Sequence, residues 1–289
     1  MKRILSTVLL LALLAGLCIR AFAEGTQNCA VIGANLTEEQ IATVYAIFGI
    51  ERGSVTELQV TNAEERAYLE GLVADPVIGT RSISCVYVEL LEPGAGMDVK
   101  TYNITWCTAE MYINALATAG VTDARIIVAA PFEVSGTAAL TGIYKAYEHI
   151  TGEELDTEAK KVSTEELTLT GDLSEAIGSK EATAIISEVK QILSETEQMS
   201  DEQLRKEIVN IATANGIRLS DEEVTQIMHW CRRLEKLNID SLIDHVSQIQ
   251  ETVGKISDAK DSVVGFAQKV QNFFAYVSAF FERVKGWFK

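Results

Sequence analysis

The segment Val134-Ser135-Gly136-Thr137-Ala138-Ala139-Leu140-Thr141-Gly142 joins the end of an apolar run to the start of a helical pattern. Free N–H groups at such a helix start can hold an anion, and Ser135 and Thr137 would add hydroxyls beside Gly136. The Gly-Lys-Ser/Thr of a P-loop and its phosphate-reaching lysine are missing. The plainer reading is a well-capped helix whose small residues pack closely on a sheet. Asn103 and Thr105 stand at a second strand-to-helix junction, with Thr105 as the expected N-cap and Thr108 and Glu110 just beyond. If both helix starts share one sheet edge, Asn103, Thr105, Ser135, Gly136 and Thr137 converge in a crevice. Ligand sites of open α/β sheets lie in such crevices.

Other chemistry finds little support. There is no Gly-x-Ser-x-Gly and no His-Glu-x-x-His. The chain has 3 histidines. His149 falls in the last turn of a helix, where a cation suits the dipole. His229 and Cys231 are two apart and point to different helix faces. No Cys-x-x-Cys occurs, and the acids near 153–166 lack the spacing of a calcium loop. The residues therefore predict no cofactor and no metal.

A second set of residues could act on a surface. Phe273, Phe274, Phe280, Phe281, Trp287 and Phe288 recur at helical spacing near the C-terminus, with Lys285 and Lys289 among them. Residues 265–289 carry four basic residues against Glu282. A basic amphipathic helix with Phe and Trp on one face matches an interfacial membrane helix. The same stripe also fits the core end of a helical bundle.

The elements that must position these residues are legible in outline. Ala30–Ile32 and Val55–Val60 read as strands. Thr37 with Gln40 and Thr61 with Glu64 form capping boxes; the second opens a helix to about Val73, broken by Asp75-Pro76. Arg81–Leu91 is the strongest strand pattern, and Met97–Tyr102 is expected to return beside it as a hairpin. A helix over Thr105–Ala119, a strand over Ala124–Ala130 and a helix over Thr137–Ile150 follow. Alternating strands and helices predict an α/β or α+β domain over residues 24–152.

The stretch Thr105–Gly120, followed by Ala130-Pro-Phe-Glu-Val-Ser-Gly-Thr-Ala-Ala-Leu-Thr-Gly142, resembles the YpuA-like family, exported proteins of Firmicutes classed as domain of unknown function 1002. Gly33–Thr37 and Arg81–Ser84 fit the same family. The resemblance is close over about residues 29–152 and looser afterwards. It implies export and that this region is one domain, and it carries no catalytic residues across.

Beyond residue 152 the chain turns acidic. Residues 153–179 read as an acidic linker with some helix. Helices are expected at 180–198, 201–214 and 221–237, the last two opened by capping boxes at Ser200/Gln203 and Ser220/Glu223. From Ile239 a heptad seam runs Leu242, Val246, Ile249, Val253, Ile256, Lys260, Val263, Ala267, Val270, Phe274, Val277, Phe281, Val284, Phe288. Residues 180–289 thus predict a helical bundle or hairpin with a long C-terminal helix. Its seam could pack within the chain, on a second copy to make a homo-oligomer, or on something else.

The compartment follows from the N-terminus. Lys2 and Arg3, the apolar run to Ile19 and Ala21-Phe22-Ala23 form a secretory signal with cleavage expected after Ala23. Cleavage removes three positive charges and takes the formal charge from −16 to −19. That acidity excludes a nucleic-acid binder, which needs a basic face. Cys29, Cys85, Cys107 and Cys231 remain; outside the cytosol they could form disulfides, such as Cys85 with Cys107, or serve as buried small hydrophobes. The combined expectation is an exported, envelope-associated protein that binds a surface component, a partner protein or a membrane. The alternatives are an envelope hydrolase using the crevice near Asn103 and Ser135, and a self-associating coiled-coil protein.

Overall fold

The computed structural model describes residues 27–72 and 75–257. The expected signal segment and the aromatic tail at 265–289 lie outside them, as does the seam beyond Ser257. Five strands form one mixed sheet: β1 (Asn28–Gly33), β2 (Thr56–Val60), β3 (Cys85–Leu90), β4 (Met97–Ile104) and β5 (Ala124–Val134), in the order β2-β1-β3-β5-β4. β1 pairs parallel with β2, and β5 parallel with β4, while β3 runs antiparallel between β1 and β5. The expected hairpin of β3 with β4 is therefore not formed. β5 inserts between them, because its near-continuous apolar run needs the interior of a sheet. β4, with Asp98 and Lys100 on its outer face, takes the edge beside β5.

Residue parity sorts the two faces of the sheet. Ala30, Ile32, Cys85, Tyr87 and Ala129 face α1 (Glu38–Phe48), which buries Ile41, Val44, Tyr45 and Phe48 on them. Cys29, Val31, Val86, Val88, Ile126 and Val128 point to the other face. There α4 (Ala109–Ala119) and α5 (Thr137–Thr151) close a second layer. Between β2 and β3 lie α2 (Asn62–Leu69) and α3 (Asp75–Ile78). The helix opened by Thr61 ends at Leu69, short of Val73, and Asp75-Pro76 begins α3 instead of only breaking a helix, as proline's fixed φ allows in a first turn.

The remaining helices are α6 (Thr157–Ile177), α7 (Ser179–Gln191), α8 (Leu193–Thr196), α9 (Asp201–Ala214), α10 (Asp221–Leu234) and α11 (Ile239–Ser257). The segment expected as an acidic linker is α6, a 21-residue helix with Val162, Leu167 and Leu173 in the core. Its polar residues are buried because each finds a partner. Thr164 and Thr170 donate to the Lys160 and Glu166 carbonyls one turn back, and Tyr144 Oη lies 2.7 Å from Ser163 Oγ. Gly171 lets the Trp106 indole lie directly on α6; a methyl group there would overlap the ring. Trp106 Nε1 donates to Glu175 at 3.0 Å.

One core thus runs from the sheet through α4, α5 and α6 to Trp230 and Cys231 of α10. The four predicted capping boxes, at Thr37, Thr61, Ser200 and Ser220, all form. Leu242 and Val246, the first two seam positions, are buried in the same core, so the described start of the seam packs within the chain. Gln248 Nε2 fastens α11 further by donating to both oxygens of Asp123 at 2.8 Å. No helix among the described residues is long and apolar enough to cross a membrane.

Candidate functional site

β1, β2, β4 and β5 run in one direction, so their carboxyl ends share one sheet edge. At that edge α2, the 77–84 loop (the last residues of α3 and the chain after it) and the start of α5 enclose a cleft of about 260 Å³. Ser135 and Thr137 line it, as do Glu65, Arg81, Ser84, Val77, Ile78 and Phe132. This is the position where open α/β sheets place ligands. Arg66 holds the rim in place: its guanidinium binds Asp75 at 2.9 Å and donates to the Gly79 carbonyl at 2.8 Å.

Glu65 is the central residue and is 1% exposed. Its Oε1 accepts from Thr137 Oγ1 at 2.6 Å, and its Oε2 from Asn62 Nδ2 at 3.3 Å. Thr137 is the first residue of α5, whose N-cap, Gly136, offers no side chain. The chain's own carboxyl thus lies beside the helix start that the sequence suggested for an external anion, bonded to the Thr137 hydroxyl. Burial raises the Glu65 carboxyl above its ordinary range, and the bonds from Thr137 and Asn62 only partly offset this.

The hydroxyl chain reports the same proton. Ser135 Oγ donates to the Val77 carbonyl at 2.9 Å and lies 3.3 Å from Thr137 Oγ1. When Glu65 is ionised, Thr137 donates to it and no hydrogen remains for the Ser135–Thr137 contact. When Glu65 is protonated, it donates to Thr137, Thr137 to Ser135, and Ser135 to Val77. Each hydroxyl has one proton to give.

A raised carboxyl means the folded chain binds this proton more tightly than the unfolded one. Its contribution is fully present below the ordinary carboxyl range and is lost as pH rises through the folded value. Glu65→Gln removes that dependence. In thermal melts from about pH 4 to pH 8, the variant should gain on the native chain as pH rises. A difference that stays constant with pH would contradict the buried, raised carboxyl.

The other predicted residues play different parts. Asn103 is exposed and is the one non-glycine residue with positive φ, at 58°, among the described residues. Its Nδ2 donates to the Ala130 carbonyl at 2.8 Å, across the irregular pairing of β4 with β5. Thr105 donates to the Val134 carbonyl at 3.0 Å. Both shape the strand ends, and neither lines the cleft. Thr105 is not the N-cap of α4: Thr108 is, accepting from Met111 N, and the helix starts at Ala109. Gly136, with φ 101°, passes its carbonyl to Tyr112 Oη at 2.6 Å.

Glu65, Arg81 and Phe132 were not singled out by the sequence. Glu65 sits inside the Thr61 capping box beside Glu64 and looks there like an ordinary first-turn acid. Only the placement of α2 against α5 separates the two.

Cys29, Cys85, Cys107 and Cys231, the cysteines among the described residues, are all free and buried, so the Cys85–Cys107 pair does not form. Burial pushes the Cys29 thiol up to about 11 and those of Cys85, Cys107 and Cys231 up to about 12, which leaves no thiolate at neutral pH. Among the described residues no group of three His, Cys, Asp or Glu side chains could hold a metal ion.

Comparison with known proteins agrees with the sequence resemblance. No solved structure matches the chain. It is 34% identical over 249 residues, 85% of either chain, to a Bacillus subtilis (strain 168) protein described as "Uncharacterized protein YpuA". The family model described as "Protein of unknown function (DUF1002)" matches residues 32–253, which take in every strand of the sheet from Ile32 onward, the cleft and most of α11. The chain belongs to this DUF1002, YpuA-like family.

Proposed function

We propose that this protein is an exported binding module that holds a component of the cell envelope in the cleft between α2, α5 and the 77–84 loop. One observation carries the reading: the buried Glu65 carboxyl lines a cleft at the carboxyl ends of the parallel strands. The signal pattern at residues 1–23 supports the compartment. Binding is preferred to acyl transfer on the geometry of Ser135. Its proton is given to the Val77 carbonyl, and its titratable neighbour, Glu65, reaches it only through Thr137. A serine nucleophile needs a base in direct contact.

The test has two parts. Fractionation of cells producing the full chain with a C-terminal tag is expected to place it outside the cytoplasm. Co-sedimentation of the chain from Glu24 with isolated cell walls is expected to fall with Phe132→Ala plus Arg81→Ala, two exposed positions on the cleft wall. Retention in the cytoplasm, or equal sedimentation by the double variant, would overturn the reading.

A further inference from the structure

We infer that the cleft takes one uncharged pyranose ring of a glycan, with the sugar's apolar face on Phe132 and its hydroxyls toward Glu65, Ser135 and Thr137. This rests on the binding reading above and names the ligand class.

The size of the site sets the first limit. About 260 Å³ lies just below the ~300–1,000 Å³ of sites for drug-sized ligands, so one ring fits and an extended molecule does not. The cleft is also open to solvent beside Phe132, a residue that is 42% exposed. A longer ligand can therefore enter with one residue and leave its remainder outside.

Charge narrows the class further. A phosphate or carboxylate ligand would meet the Glu65 carboxyl, which is bonded to the Thr137 hydroxyl beside the start of α5. An ammonium ligand would meet the Arg81 guanidinium on the wall and the positive end of the α5 dipole. Arg81 is exposed and belongs to none of the ion pairs among the described residues. A neutral ligand meets neither conflict.

The polar groups suit hydroxyls in particular. Glu65 can accept, Arg81 can donate, Ser84 can do either, and Ser135 and Thr137, whose protons are already given within the hydroxyl chain, can accept. A sugar hydroxyl both donates and accepts, so it can donate to Glu65, Ser135 or Thr137 and accept from Arg81. Val77, Ile78 and Phe132 supply the apolar surface that the C–H face of a pyranose requires. An exposed aromatic ring beside buried polar groups is thereby accounted for.

The experiment is an NMR titration of the ¹⁵N-labelled chain from Glu24 with chitotriose and with cellotriose. Inorganic phosphate and 1,5-diaminopentane serve as charged probes. The expected result is saturable shifts at residues 77–84 and 132–138 with at least one trisaccharide. Phe132→Ala should weaken that binding about tenfold or more, and Glu65→Gln should weaken it while leaving the spectrum otherwise folded. Shifts at the cleft with phosphate or the diamine but with neither sugar would overturn the sugar assignment and leave the binding reading standing. Shifts with no probe, or sugar shifts that ignore both substitutions, would overturn the sugar assignment as well.

Discussion

Replacing Lys190 by Met is expected to destabilise the protein by about 3–5 kcal/mol, the cost of leaving one buried charge without its partner. Lys190 and Glu166 form an ion pair at 2.9 Å between α7 and α6, with side chains 2% and 0% exposed. Lys190 also donates to the Asn114 carbonyl at 2.7 Å, and Thr118 donates to the other Glu166 oxygen. Burial pushes Glu166 up and Lys190 down, each toward its neutral form, and only the pairing and these bonds hold the charges there. The double variant Lys190→Met, Glu166→Gln should recover most of the loss. It leaves no buried charge, and the Gln carbonyl can still accept from Thr118. Urea denaturation measures both. A double variant as unstable as the single one would assign the loss to packing instead of charge.

Gly136→Ala is the second large effect, and it falls on the site. At φ 101° the residue sits in the left-handed region, which costs a non-glycine residue about 1–2 kcal/mol. The added Cβ would also stand 2.5 Å from Ile104 Cγ2 and 2.6 Å from Tyr112 Oη. Overpacking of that kind costs about 1–3 kcal/mol, so the sum is about 2–5 kcal/mol. Relief requires the β4–α4 junction to move, and with it the start of α5. A loss under 1 kcal/mol in the same denaturation measurement would mean that this junction yields easily.

The α/β half was largely legible because its signals are local. Capping boxes, the short apolar run in β1, the β-branched and aromatic residues of β3, and the continuous run in β5 each act within a few residues. Strand pairing was not legible. Nothing between Leu91 and Gly96 tells a hairpin from a chain that steps over a strand not yet made. α6 failed for a different reason. Its Thr, Ser and Glu residues look solvated, and only contacts with Tyr144, Lys190 and Trp106 show that they are buried. The site was half visible: Ser135, Gly136 and Thr137 announce a helix start, but Glu65 comes from 70 residues earlier in the chain and meets them only through packing.

The charge balance needs the same reading. Residues 153–179 read as an acidic linker, yet Glu166 lies in the core and Glu165 pairs with Arg233 of α10 at 2.6 Å. Some of the acids are therefore structural, and net charge alone does not locate a surface.

Hydrogen exchange read by mass spectrometry, on the chain from Glu24 with and without saturating chitotriose and cellotriose together, tests the central claim most directly. Binding in the cleft predicts slowed exchange in peptides covering 62–69, 77–84 and 132–140, with α7 to α10 unchanged. No slowing, or slowing confined to other peptides, would contradict a sugar site built on Glu65, Ser135 and Thr137.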